Sequence, residues 1–110
     1  MFTVVGLNEK DISNASSFTE ALQIFHERCI KPIAEGQKIV DAETTCYIEA
    51  NGETASTRMY YRYVFEFAVK AGLIKDGKIA EPLIEPPTTE LIAAFSRAAV
   101  MQMVGTLGCH

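Results

Sequence analysis

The 110 residues suffice for one domain with one core and are too few for two. Apolar residues make up 48% and charged residues 22%, the proportions of a globular protein, which excludes a disordered or fibrous chain. The net charge of -4, with ten Lys and Arg dispersed along the chain, leaves no basic excess to neutralise phosphates and argues against nucleic acid as a partner.

No stretch reaches the roughly 18 apolar residues needed to span a bilayer, and Met1 to Gly6 has no basic flank or long apolar run of a secretory signal, so no membrane partner is expected and the cytoplasm is the expected location. Cys29, Cys46 and Cys109 are odd in number and contain no C-x-x-C pair. They read as reduced thiols, two of them buried, with no disulfide framework, no metal site and no cofactor implied. Asn14-Ala15-Ser16 matches the glycosylation triplet, which has no chemical meaning without secretion.

Residues 2–7 form an apolar run that predicts a first strand, and the polar stretch Asn8 to Ser16 reads as a loop. Ser17 followed three residues later by Glu20 is a capping box and opens a helix over 17–31. Phe18, Leu22, Phe25, Cys29 and Ile33 stack on one face of it, with Glu20, Gln23, Glu27 and Lys31 opposite. Pro32 disfavours helical geometry at Lys31, which predicts a kink or end near Ile30, with Gly36 closing the segment.

Residues 38–84 predict an antiparallel meander. Asn51-Gly52 as a two-residue hairpin turn pairs Ile48 with Ala55, Cys46 with Thr57, Thr44 with Met59, Ala42 with Tyr61 and Val40 with Tyr63, and Phe65, Phe67 and Val69 continue this apolar side. The other face then sets Asp41 opposite Arg62 and Glu43 opposite Tyr60, with Arg58 on a diagonal. A second turn at Asp76-Gly77 returns Lys78 to Ile84 as a third strand, and Ala71-Gly72 has the composition of a β-bulge. The rival reading of residues 54–71 is a helix, since Arg58, Arg62, Glu66 and Lys70 recur every four residues. The aromatic and β-branched residues between Thr57 and Val69, the turn signals and the cross-strand charge match favour strands. Pro86-Pro87 ends the sheet, and 88–104 predicts a second helix with Gly105 as its stop. Its polar stripe is narrow, so it calls for burial on more than one side.

Among candidate motifs, Gly72 to Ile79 nearly spells a P-loop, yet Ile79 replaces the magnesium-binding hydroxyl and the context is a hairpin. His26 at the edge of the first helix's apolar face is either a proton carrier or a packing residue. Tyr61 and Tyr63 on the inner side of the hairpin are either hydrogen-bond donors to a ligand or core aromatics whose hydroxyls reach an edge. Arg58 and Arg62 read most simply as a salt-bridged outer face, with an anion site as the other option.

The order strand, helix and curled meander, with Gly36-Gln-Lys-Ile-Val40, Asn51-Gly52, Val64-Phe65-Glu66-Phe67 and Asp76-Gly77-Lys78-Ile79-Ala80-Glu81, resembles the cystatin-like folds and the NTF2-like (SnoaL-like) superfamily over about half of the chain. The resemblance implies a conical sheet wrapped around helices and enclosing a pocket, used by isomerases, dehydratases, epoxide hydrolases, cyclases and plain binding proteins, so the fold does not settle the function. The long N-terminal helices of that superfamily are missing here, extra residues stand between Phe67 and Asp76, and its carboxylate base has no residue to map onto.

The resulting expectation is one α+β domain over 1–110: a curled antiparallel sheet with a long central hairpin packed against a helix, plus a C-terminal apolar helix through which two copies form a homodimer. An apolar small molecule is expected between the first helix and the hairpin, bounded by Leu22, His26, Cys46, Met59, Tyr61 and Tyr63. A catalytic version needs Tyr61 or Tyr63 as donor and His26 as base. The reading from another class is a protein-interaction module acting through the C-terminal helix or a sheet face.

Overall fold

The computed structural model describes residues 1–6, 12–36, 46–52 and 56–108. It is an α+β fold. A four-stranded antiparallel sheet has the order β2-β1-β3-β4, from β1 (Phe2–Val5), β2 (Ile12–Ala15), β3 (Tyr47–Asn51) and β4 (Ser56–Tyr60). The helices are α1 (Phe18–Phe25), α2 (Lys31–Ala34), α3 (Tyr61–Lys70) and α4 (Thr88–Gly108), and β5 (Ile74–Lys75) with β6 (Lys78–Ile79) makes a second, two-stranded sheet.

The Ser17 hydroxyl accepts from the Glu20 amide at 3.2 Å, while the Glu20 carboxylate accepts from the Ser16 hydroxyl at 2.8 Å. The helix start is thus closed from both sides, one residue displaced from the ideal box. Two further first-turn amides are satisfied from far along the chain, as Phe18 and Thr19 donate to the Glu85 carboxylate at 3.0 and 2.8 Å. Pro32 leaves its mark as expected. Residues His26–Ile30 form a π turn between α1 and α2, which relieves the clash that a proline ring makes with the carbonyl four residues earlier. The helix closes at Gly36, whose φ of 89° is left-handed.

Phe18, Ala21, Leu22 and Phe25 of α1, with Cys29 and Ile30 beyond it, bury one face against Val4, Ile48 and Met59, which lie side by side across β1, β3 and β4. The expected loop over Asn8 to Ser16 contains a strand instead: β2 pairs with β1 from Ile12 opposite Val5 to Ala15 opposite Phe2. Only Ile12 and Ala15 in it are apolar, too little alternation to announce a strand.

The hairpin keeps the expected facing and changes its register. Ile48 pairs with Met59, not Ala55, and Ala50 with Thr57, because Asn51 is the last paired residue, opposite Ser56, and the connection is longer than two residues. A slip of an even number of residues leaves every side chain on its face. The pairings proposed for Val40, Asp41, Ala42, Glu43 and Thr44 lie outside the described residues.

The largest correction falls on residues 61–70, which are helical: the strand reading of Tyr61 to Val69 is overturned, and Arg62 meets Glu66 one turn on at 3.3 Å. Val64 and Ala68 bury one face, and Phe67 reaches the Phe18 ring at 5.5 Å. Ala71-Gly72 is the C-terminus of this helix and not a bulge. Gly72 has φ 76°, its amide donates to Val69 at 3.2 Å, and the Leu73 amide donates to Ala68 at 2.8 Å, the double closure of a Schellman motif. Asp76-Gly77 makes the expected hairpin turn, with φ of 54° and 78° as a type I′ turn requires, but β6 stops at Ile79 and does not run on to Ile84. Finally, α4 continues through Gly105 to Gly108.

Candidate functional site

β4 is an edge strand, and α4 covers it with a polar side chain. The Gln102 amide oxygen accepts from the Tyr60 N–H at 3.0 Å while its nitrogen donates to the Arg58 carbonyl at 3.1 Å, so one side chain occupies the place of a fifth strand. Further toward the start of α4, Leu91, Phe95 and Ala98 are buried, and the Phe18 ring stands edge-on to both Phe95 and Phe67, at 6.0 and 5.5 Å. Gln102 lies beside the start of α3, and Phe95 shares a neighbour with Phe67, farther along α3. α3 and α4 thus flank the end of β4 and the Phe18 ring.

Between them lies an open groove of about 420 Å³. Met59 of β4, Phe67 of α3 and Ala94 and Ala98 of α4 give it an apolar floor, and Tyr63, Glu66, Lys70, Glu90 and Arg97 stand along the walls, with Met101 at the Tyr63 end. The small alanines Ala93, Ala94 and Ala98 keep α4 from filling this space. A second depression of about 460 Å³ lies on the other flank of α4, between Phe2, Ala50, Glu85, Ile92 and Ser96.

The six residues named from the sequence lie in different surroundings. Leu22 and Cys46 are fully buried in the core between α1 and the sheet. Tyr61 packs its ring against Phe25 at 5.9 Å and Phe65 at 6.4 Å. His26 is on the surface of the π turn, its Nε2 hydrogen-bonded to the Gly77 carbonyl at 2.9 Å. Met59 and Tyr63 alone reach the α3–α4 groove. Of the two tyrosines of the catalytic version, Tyr63 lines the groove while His26 bonds the β5–β6 turn, and Tyr61 packs on Phe25, the residue before His26. The groove's α4 wall was not anticipated, although Ala93, Ala94, Arg97, Ala98 and Met101 recur at helical spacing in the sequence and carried the signal.

On the open face of the sheet, Arg58 bonds Glu49 at 3.2 Å and lies 4.5 Å over the Tyr47 ring. Hydrogen bonds to Tyr60 and then Glu49 hold its guanidinium above the ordinary value, so this arginine is a fixed cation with its charge already engaged. Among the described residues, no group of three or more His, Cys, Asp or Glu is placed to hold a metal ion, and no helix is long and apolar enough to cross a membrane.

No family model, no curated protein and no solved structure matches the chain.

Proposed function

We propose that this protein binds a small, mainly apolar molecule in the α3–α4 groove. The observation that carries the reading is the groove between the two helices, with the apolar side chains of Met59, Phe67, Ala94 and Ala98 in its lining. Its volume of about 420 Å³ falls in the range of small-molecule sites, roughly 300–1,000 Å³, and its lining combines apolar with polar side chains. This keeps a pocket beside an antiparallel sheet, as the NTF2-like resemblance implies, while moving it from the α1 seam to α4. The test is a thermal-shift screen with apolar fragments on the native chain and on Ala94→Phe, which fills the groove. Ligands should raise the melting temperature of the native chain alone; an equal rise in both, or none in either, refutes the site.

A second reading rests on a different face. The arc of α4 turned away from the core carries Ile92, Val100 and Met103, exposed to 62%, 58% and 64%, with Thr89 and Ser96 between them and no charge. Solvent-facing helix surfaces are normally polar, and an uncharged apolar arc suits a two-fold pairing with a second copy, which brings no like charges together. Sedimentation should then give twice the 12.1 kDa chain mass, reduced to one chain by Val100→Lys. A single-chain mass for the native protein at tens of micromolar rejects the pairing.

A further inference from the structure

We infer that the part of α4 beyond Ala98 is a latch over the edge of β4, which opens and closes while the rest of the fold stays intact. The helix is held differently along its length. Its first half is anchored in the core: Leu91, Phe95 and Ala98 are buried, and the Phe95 ring meets those of Phe2 and Phe18 at 6.0 Å each. From Ala99 to Met103 no side chain is buried, and Val100, Met101 and Met103 are exposed. What this stretch brings to the sheet is Gln102, whose carboxamide spans the Tyr60 N–H and the Arg58 carbonyl at 3.0 and 3.1 Å. Both are backbone groups on an edge strand, so water satisfies them when the helix lifts.

Helix propensity does not make up the difference. Gly105 stands inside α4, where glycine is the least favourable residue after proline, and the last turn carries no basic side chain to meet the negative end of the helix dipole. A helical end of this length is not stable in water without packing. It therefore depends on contacts that are polar and near the surface, whereas the first half depends on the core.

Opening changes what the surface offers. The Tyr60 N–H and the Arg58 carbonyl are the groups that an added strand would bond, and in the closed state the Gln102 amide stands in for that strand. In the open state β4 is an unprotected edge. Met101, the residue before Gln102, lines the α3–α4 groove, so the same movement takes one side chain out of the groove's wall.

Native-state hydrogen exchange of the whole chain in rising, sub-denaturing urea tests this, with the Tyr60 amide compared with the Ile48 amide in the middle of the sheet. A local opening exposes little surface and responds little to urea, whereas global unfolding responds steeply. Without urea, Tyr60 should exchange about tenfold faster than Ile48, and its rate should stay nearly flat until the two curves merge. Gly105→Ala should slow Tyr60 exchange about fourfold, the helix-propensity gain of alanine over glycine. Curves for Tyr60 and Ile48 that coincide at every urea concentration overturn the latch, because α4 and the sheet then open together. A flat Tyr60 curve that Gly105→Ala leaves unchanged also overturns it, since the Gln102 side chain then swings out from a helix that stays in place.

Discussion

Gln102 ties α4 to the backbone of β4 by two hydrogen bonds, beside the groove. Gln102→Met keeps the length and bulk of the side chain and removes both hydrogen bonds, those to the Tyr60 N–H at 3.0 Å and the Arg58 carbonyl at 3.1 Å. Both partners are backbone groups on an edge strand where water can replace the lost contacts, which puts each bond at the low end of the usual range, about 0.5–1 kcal/mol. The pair then contributes about 1–2 kcal/mol, a fall in Tm of roughly 4–8 °C for a domain of this size. Urea unfolding measures the loss, and native-state hydrogen exchange locates it. The Tyr60 amide should exchange roughly tenfold faster in the variant while the Ile48 amide, in the middle of the sheet, follows global stability. Unchanged stability together with an unchanged Tyr60 amide would refute the strand-like role of Gln102.

Two further substitutions probe the frame around the groove. Phe18→Ala removes the ring that touches Phe2, Phe67 and Phe95 at once, and should lose about 3–5 kcal/mol in urea unfolding, against about 1 kcal/mol for Phe18→Leu; a loss below about 1.5 kcal/mol for the alanine would show that the three rings do not depend on it. Gly72→Ala meets no atom within 4 Å, so its effect is the left-handed backbone alone, about 1 kcal/mol destabilising by the same measurement, and no loss would contradict the Schellman ending of α3.

Local signals in the sequence were legible where one residue type satisfies one backbone need. Ser17 with Glu20, the apolar face of α1, the interruption before Pro32 and the Asp76-Gly77 turn all follow from the chain within a few residues of each feature. The alternation around Ile48 and Met59 gave the buried face of the hairpin but not its pairing, because side-chain facing survives a slip by an even number of residues. The segment from Tyr61 to Lys70 was misread for a tertiary reason. Its aromatic and β-branched residues have strand propensity, yet Phe67 is held by the ring of Phe18 on α1, and Val64 and Ala68 are held by the core, contacts no local window contains. The polar spacing of Arg62, Glu66 and Lys70 and the Gly72-Leu73 stop were the helix signals present, and they outweigh propensity once the Schellman closure is recognised. That misreading displaced the candidate site too. With 61–70 as a strand, Tyr61 and Tyr63 share a face; on a helix they diverge, Tyr61 toward Phe25 and Tyr63 into the α3–α4 groove.

The most direct test of the groove uses the chain's own four methionines, which report from distinct places. Met59 and Met101 line the groove, while Met1 and Met103 are exposed and lie outside it. In a chain labelled with carbon-13 at the methionine methyls, titration with an apolar fragment that raises the melting temperature should shift the Met59 and Met101 resonances along one saturating curve and leave Met103 in place. Saturating shifts confined to Met1 or Met103, or four resonances that never move, would contradict the assignment of the groove as the ligand site.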